Sequence, residues 1–428
     1  MNFQALRGTT DLLPEELPRW KAVEQATRHL AARYGYQELR TPVMEEAALF
    51  LRSIGETSDI IQKEMFRFTD RGDHDIVLRP EGTASIVRAY LEHNLHKTQG
   101  LAKLFYLGPM FRAERPQAGR LRQFHQFGVE AIGSYSPLID AEVIALCVQM
   151  LGACGVSKTS LWIASMGCRK DQAESAKRLR ERLAPHRKEL CETCQSRFDK
   201  NVFRVLDCKR PSDHDLAWKS AGNPFVLCQE CQDHFDQVRA ALRGIGIAFD
   251  DTKVFARGLD YYTRTVFEVR AEGLGAQDAV AAGGRYDQLV EELGGPPSGA
   301  IGFAAGIERI LMATKPAQET ASTNSHRRGL YIAAAQPTLA AQVFAMVQTL
   351  RQKGVTTYLD YENRSLKAQL READKFQCRW VAILGEAELR EGKIAIKDLE
   401  KGEQQQLQLD TFADDLARQT KEQGGHCT

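Results

Sequence analysis

Two arginine-bearing segments and two cysteine pairs are the parts of this sequence whose residue types and spacing could do chemistry. In GPMFRAERPQAGRLRQFHQFGVE (Gly108 to Glu130), Arg112 ends a strand-like run and is followed by a charged loop and a second strand-like run. Two antiparallel strands joined by a basic loop make a surface able to grip a phosphate, and arginine suits this because its planar fork donates two parallel hydrogen bonds. Taken alone, the segment reads equally well as a charged surface hairpin. In GAIGFAAGIERIL (Gly299 to Leu311), a strand runs into a helix through Gly302 and Gly306, with Glu308 and Arg309 inside. Glycines there allow a ligand to approach the backbone closely, and the Arg309 guanidinium could stack on a purine ring. A glycine-rich strand-to-helix turn is by itself a weak signal.

The cysteine pairs are LCETC (Cys191, Cys194) and LCQEC (Cys228, Cys231). Each pair can place two thiolates about one metal, and the four together would close a tetrahedral structural Zn2+ site. The gap from Cys194 to Cys228 exceeds the roughly 15 to 20 residues usual for such sites, and four reduced thiols packed in a small domain are the competing reading. Cys168 and Cys208 stand near enough in sequence to replace a ligand, whereas Cys147 and Cys154 look like core residues.

The elements that must position these residues follow from periodicity. Glu15 to Tyr34 carries a helical pattern, and YGYQELRTPVME has strand character closed by Pro42. Short strand-like runs recur at Asp75 to Leu78, Leu104 to Leu107, Gln126 to Ala131, Thr265 to Arg270 and Ala300 to Phe303, with helices between them. This spacing predicts an antiparallel sheet with helices packed on it, a core made of residues 1–156 and 252–315. Residues 157–251 are helix-rich, highly charged and hold six of the ten cysteines, and read as an inserted domain. The polar stretch 316–328 reads as a linker. Beyond it, 329–428 alternates strand, helix, strand, helix, strand, the pattern of a small α/β domain with a largely parallel sheet.

Bulk properties bound the function. A chain of 428 residues is too long for one core, and with 43% hydrophobic and 26% charged residues it has the composition of a globular enzyme. No apolar run approaches the roughly 20 residues that cross a bilayer, which predicts no membrane role. The N-terminus carries Asp11, Glu15 and Glu16 where an export signal needs an apolar stretch, so the expected compartment is the cytoplasm, where cysteines stay reduced. A net charge of +1 excludes binding of nucleic acid through a bulk positive field but leaves local basic patches open, at Arg112 to Arg122, Lys177 to Arg187 and Arg364 to Lys375. Each patch would serve equally as a solvated face.

The segments PVMEE (Pro42 to Glu46), FRAE (Phe111 to Glu114) and GIER (Gly306 to Arg309) occur in the order of motifs 1, 2 and 3 of the class II aminoacyl-tRNA synthetases and resemble them. RGLDYYTRTVFEV (Arg257 to Val269) and AAGGRYDQL (Ala281 to Leu289) further resemble the two signature motifs of the histidyl-tRNA synthetase family, bacterial type, and the resemblance runs from RGTTDLLP near the start into the last domain. It implies an α+β class II catalytic core with an antiparallel sheet flanked by helices, a helix-rich insertion, and a C-terminal α/β anticodon-binding domain. The implied activity is ligation of histidine to its tRNA, through a histidyl-adenylate made from ATP, with Mg2+ on the nucleotide phosphates. On the matching positions, Arg112 would hold the ATP α-phosphate and the substrate carboxylate, with Glu114 also on ATP, Arg309 would cover the adenine, and Arg257 would reach the α-phosphate in the transition state. Glu81, Gly82 and Thr83, assisted by Gln126, would take the α-ammonium group of histidine. Glu130 and Tyr262, with Tyr261 beside them, would read the imidazole, since a carboxylate and a phenol can pair both ring nitrogens. Arg115, Gln117 and Arg120 occupy the loop that would meet the tRNA acceptor end, and Leu39 to Glu46 would build a homodimer contact. The alternative is the family's non-catalytic relative, a histidine-sensing regulatory subunit of ATP phosphoribosyltransferase. Against that stand the intact Arg112, Arg257 and Arg309 and the C-terminal domain.

Overall fold

The computed structural model describes residues 3–423 apart from 56–57, 117–118, 209, 254–259, 275–277 and 315–326. In chain order the strands of the first unit, Met1–Lys315, are β1 (Gln37–Glu38), β2 (Met44–Glu46), β3 (Phe66–Thr69), β4 (Asp75–Leu78), β5 (Ala102–Phe111), β6 (Gln123–Ile132), β7 (Thr159–Ser165), β8 (Thr263–Ala271), β9 (Ala279–Arg285) and β10 (Ala300–Gly306). Seven of them form one sheet in the order β1-β5-β6-β10-β9-β8-β7. Every neighbouring pair is antiparallel except β1 with β5. A small antiparallel sheet, β2-β4-β3, lies apart from it.

Alternation along the central strands decides which side chains meet a ligand. In β6, Phe127, Val129 and Ala131 point into the core beneath the sheet, where helices Leu17–Arg33, Pro137–Ala153 and Gln229–Gly244 contribute Trp20, Ile144 and Val238. Side chains alternate faces with a period of two, so Gln126, Gly128 and Glu130 emerge on the opposite face. The same rule in β10 sends Ile301, Phe303 and Ala305 into the core and leaves Gly302, Ala304 and Gly306 as a floor of small residues. Above that floor, helix Thr83–Glu92 packs Ile86, Val87 and Tyr90 against Leu104, Tyr106 and Tyr286. A buried charge network pins the layers: Arg285 Nε donates to Asp140 at 2.7 Å, and His234 Nε2 lies 2.8 Å from the other Asp140 oxygen.

The antiparallel sheet flanked by helices agrees with the sequence expectation, with two differences. YGYQELRTPVME supplies two separate strands, β1 and β2, in different sheets, because Pro42 between them has no N–H for a ladder. Thr159–Ser165, inside the segment expected to be inserted, is the edge strand of the main sheet, paired with β8 from Thr159↔Ala271 to Ser165↔Thr265. Phe235, Val238 and Leu242 near the end of that segment are also in the sheet's core. The part of the insertion with a core of its own gathers Leu179, Leu183, Phe198, Val205 and Ala217 from the helices between.

The second unit, Pro316–Thr428, contains β11 (Leu330–Ala334), β12 (Thr357–Leu359), β13 (Trp380–Leu384), β14 (Lys393–Asp398) and β15 (Gln404–Gln408). They form one sheet ordered β12-β11-β13-β14-β15. The three strands expected from the sequence are parallel, while β14 and β15 add an antiparallel edge. The QQQLQ of β15 is exposed along nearly all its length and so carries no apolar alternation to announce it.

Candidate active site

The open face of the seven-stranded sheet holds a cleft of about 500 Å3 lined by Glu81, Thr83, Arg112, Gln126, Tyr261, Tyr262, Tyr286, Gly302 and Arg309, among others. A smaller compartment of about 200 Å3 adjoins it, sharing Arg112, Arg120, Gln126 and Arg309 and adding Glu114, Phe124 and Glu308. Residues from five separate segments of the chain thus share one concavity, acidic and phenolic at one end and cationic at the other.

At the acidic end Glu130 is fully buried. One carboxyl oxygen accepts from Thr83 Oγ1 at 2.7 Å and the other from the Tyr286 hydroxyl at 2.5 Å. Burial, reinforced by the nearby Glu81, pushes its pKa up to about 8, against the pull of the two hydroxyl donors. Glu81 accepts from the backbone N–H groups of Thr83 (2.6 Å) and Ala84 (2.9 Å) at the start of helix Thr83–Glu92. Burial raises its pKa too, while those N–H groups and Arg112 oppose the rise. Tyr261 and Tyr262 are buried with ring centroids 4.8 Å apart, and Tyr261 meets Tyr286 edge-on at 5.8 Å. Among the described residues nothing pairs with the buried Gln126 Oε1, and an orphaned acceptor in a polar cleft marks a place for a ligand donor.

Two glycines make this end possible. A Cβ on Gly302 would fall on the Glu130 carboxylate and against the Val129 carbonyl, and a Cβ on Gly82 would fall on the Tyr106 ring. Gly82 therefore serves by the space it leaves. Gly302→Ala is expected to displace Glu130, raise the KM for the ligand bound at this end of the cleft more than tenfold and cost about 1–3 kcal/mol of stability, since an added methyl in a packed site forces neighbours to move. Steady-state kinetics with urea unfolding checks this; an unchanged KM would show that Glu130 does not depend on that space.

At the cationic end Arg112 Nε donates to the Pro80 carbonyl at 2.9 Å and its guanidinium lies 5.3 Å from the centre of the Phe124 ring. Arg309, on helix Ile307–Ala313, lies back over Gly306, whose Cβ would come within 3.5 Å of its Cδ. Burial and the neighbouring Arg120 pull its pKa below the ordinary arginine value without threatening its charge. Glu114 is paired with Arg120 at 2.7 Å. The adjacent Glu308 accepts from the His125 backbone N–H at 2.8 and 3.0 Å, tying the helix to β6.

The structure thus brings together Glu81, Thr83, Arg112, Gln126, Tyr261, Tyr262 and Arg309 along the cleft, with Glu130 behind it and Gly82 at its edge. Arg257 and Gln117 lie outside the described residues. Arg115 is exposed on the loop beyond Arg112, while Arg120, expected on the same loop, turns back onto the cleft wall. Sequence reasoning missed Tyr286 and Tyr106. Tyr286 stands within AAGGRYDQL, and its position directly after a glycine-rich strand was the signal that could have found it.

The expected four-cysteine centre does not form. Cys191 and Cys194 gather with Cys208 and Asp213, whereas Cys228 and Cys231 gather with Cys168 and Asp171. The reason lies in the packing of the two helices that the pairs begin. Glu192–Lys200 sends Cys194 and Phe198 into the insertion's own core, while Gln229–Gly244 sends Phe235 and Val238 into the core of the sheet.

Comparison with known proteins shows the family. The family model "Histidyl-tRNA synthetase" matches residues 8–310, and the model "Anticodon binding domain" matches residues 330–419. A histidine–tRNA ligase of Desulfitobacterium hafniense (strain DSM 10664 / DCB-2) is 45% identical over 424 residues, covering 99% of this chain and 100% of the relative. One from Desulforamulus reducens is 47% identical over 405 residues, covering 94% of this chain and 96% of the relative. Among solved structures, apo histidyl-tRNA synthetase of S. aureus superposes with a TM-score of 0.79 at 33% identity, covering 97% of this chain and 100% of that one. With a matching family model over most of its length and relatives this similar from end to end, the chain belongs to the histidyl-tRNA synthetase family.

Proposed function

We propose that the protein activates L-histidine with ATP to histidyl-adenylate and pyrophosphate, and then transfers histidine to the 3′ end of histidine tRNA. The observation that carries this reading is the cleft itself, in which Arg112 and Arg309 share one concavity with Glu81, Thr83 and Tyr262, and the buried Glu130 stands directly behind Thr83. An imidazole offers one donor and one acceptor, and Glu130 and Tyr262 supply complements for both. A side chain without those nitrogens would leave buried polar groups unpaired, which discriminates by about 10⁴ or more. Glu81 and Thr83, with Gln126, receive the α-ammonium group.

Activation needs no general base, because the substrate carboxylate is itself the nucleophile in an in-line attack on the α-phosphorus. Arg112 holds the α-phosphate and the attacking carboxylate in one grip, which supplies both orientation and charge. Arg309 lies over the adenine, and Glu114 steadies the nucleotide side of the cleft through Arg120. Arg257 takes its transition-state role on the sequence resemblance. Two further acidic residues on the cleft wall, Glu268 and Asp278, are both engaged by Arg270, at 3.0 and 3.2 Å, and Glu81 is bound to backbone N–H groups, so Mg2+ would be held mainly by the nucleotide's phosphate oxygens, whose charge it would offset.

The exposed Arg115, together with Gln117 and Arg120, is read as meeting the tRNA acceptor end, and the C-terminal unit as meeting the anticodon. A hollow of about 330 Å3 there is lined by Asn363 and Ser365, beside Arg364 and Gln369 that are held by their own partners, and is the proposed seat of a base. The division into core (1–156 and 252–315), insertion (157–251), linker (316–328) and C-terminal domain (329–428) is proposed with strand Thr159–Ser165 and the buried face of helix Gln229–Gly244 assigned to the core. Met44 and Phe68 are exposed on the small β2-β4-β3 sheet, with Val43 exposed just before it, and this supports a homodimer formed through that face. Among the described residues no helix is long and apolar enough to cross a membrane, and the proposed place of action is the cytoplasm. A purely histidine-sensing role would not require an anticodon-binding domain.

The test is histidine-dependent exchange of labelled pyrophosphate into ATP, followed by charging of histidine tRNA. Exchange specific to histidine supports the reading; histidine binding without exchange would leave a sensor and overturn it.

A further inference from the structure

The regrouped cysteines carry a metal-binding inference of their own. We propose that the chain holds two separate structural Zn2+ ions, one ligated by Cys168, Asp171, Cys228 and Cys231 and the other by Cys191, Cys194, Cys208 and Asp213. Within each group every ligand atom lies within 4.8 Å of the others. Four ligands arranged tetrahedrally about zinc, with Zn–S near 2.3 Å, sit roughly 3.8 Å apart, so each group is within a small side-chain adjustment of closing on an ion.

The two sites are built on one plan. Each CxxC pair opens a helix, Cys191 and Cys228 at the N-cap and Cys194 and Cys231 within the first turn. The other two ligands come from the start of a second helix. Cys168 caps Arg169–Leu183 with Asp171 in its first turn, and Cys208 precedes Pro211–Ala221 with Asp213 in its first turn. Two helix N-termini therefore face each site. Three thiolates and a carboxylate exceed the charge of one Zn2+ by two, and the positive helix ends offset part of that surplus.

The carboxylates are oriented as ligands of this kind usually are. Asp171 accepts from the backbone N–H groups of Cys168 and Cys228, both at 3.1 Å, and Asp213 from that of Cys191 at 2.7 Å. Such contacts fix the carboxylate for its metal. Arg210 reaches Asp213 at 3.6 Å, whereas Asp171 makes no ion pair among the described residues. The carboxylates also serve helix Arg169–Leu183 and the Cys191 backbone without a metal, so it is the convergence of three sulfurs on each acid, and not the acid alone, that points to a cation.

Their placement gives the ions distinct structural tasks. The first joins the residues just after β7 to the start of helix Gln229–Gly244, so it ties the entry of the insertion to its exit. That root also touches the cleft: Gln172 in helix Arg169–Leu183 donates to the carbonyl of Tyr262 at 2.9 Å. The second ion lies inside the insertion, where Cys194 and Cys208 belong to its apolar core.

The test is elemental analysis of the full chain, produced with zinc in the medium and purified without chelator or metal-affinity resin. Near two zinc per chain are expected, falling to near one in Cys231→Ser and in Cys194→Ser and to near none in the double variant. As a measurement that does not depend on the variants folding, Co2+ titration of the metal-free wild-type chain should give intense thiolate-to-cobalt charge transfer and tetrahedral visible bands that saturate at two equivalents. Saturation at one equivalent, no cobalt spectrum, or a mass showing disulfides in place of metal would each overturn the proposal.

Discussion

Arg112→Ala is expected to slow histidine-dependent pyrophosphate exchange by about 10³-fold, with the urea midpoint nearly unchanged. Removing one donor aimed at developing charge costs roughly 10² to 10³ in rate, and Arg112 is proposed to serve two anions, the α-phosphate and the attacking carboxylate. Its Nε bond to the Pro80 carbonyl sets the plane of the guanidinium, so the fork is aimed before substrate arrives. Arg112→Lys should recover little, because an ammonium on a flexible stem is a point charge and cannot form two parallel bonds. The side chain is only partly buried and bonds little of the fold, which is why stability should survive its loss. A loss smaller than tenfold in Arg112→Ala would remove this residue from the reaction.

Glu130→Gln is the second large effect, and it should appear in two independent measurements. The amide preserves shape, but its NH2 nitrogen cannot accept a hydrogen bond as both oxygens of a carboxyl can, protonated or not, so the Thr83 and Tyr286 hydroxyls cannot both keep their acceptor. Exchange is expected to fall by about 10² to 10³-fold, the cost of an unpaired buried polar group added to a lost substrate contact. The other readout is the pH dependence of unfolding. In the folded chain this carboxyl titrates at about 8 instead of the ordinary 4.5, so between those values the folded state holds a proton that the unfolded state has released. Stability linked to this group is therefore highest below pH 4.5 and declines as pH rises through 8. In Glu130→Gln the fall in urea midpoint between pH 5 and pH 8 should be smaller than in the wild type. Parallel midpoint curves for the two proteins would show that Glu130 does not ionise in this window.

Much of this site could be read from local sequence. FGVEAI is apolar at alternate positions, and that alternation alone commits Phe127 and Val129 to one face of a strand and Glu130 to the other. GAIGFAAG in the same way makes a floor of small residues before Arg309. The Arg112 segment showed an anion-gripping hairpin by its residue types, whereas the roles of Glu81 and Tyr262 came only from the resemblance of their segments to a known family. The edge strand Thr159–Ser165 was not visible as part of the sheet, because its partner β8 lies far along the chain and only their pairing shows that they belong together.

What the sequence determined by itself is therefore the inventory and the facing of the reactive groups: which strands carry them, on which side, and with which small residues between. What only the tertiary structure decided is which distant groups meet. It turned the Tyr286 hydroxyl onto Glu130, cleared Gly302 for that carboxylate, drew Arg120 into the cleft, and divided the paired cysteines between two clusters. The physical reason is that facing follows from backbone geometry, which repeats every few residues, whereas convergence depends on how separate helices and strands bury their apolar sides against one another.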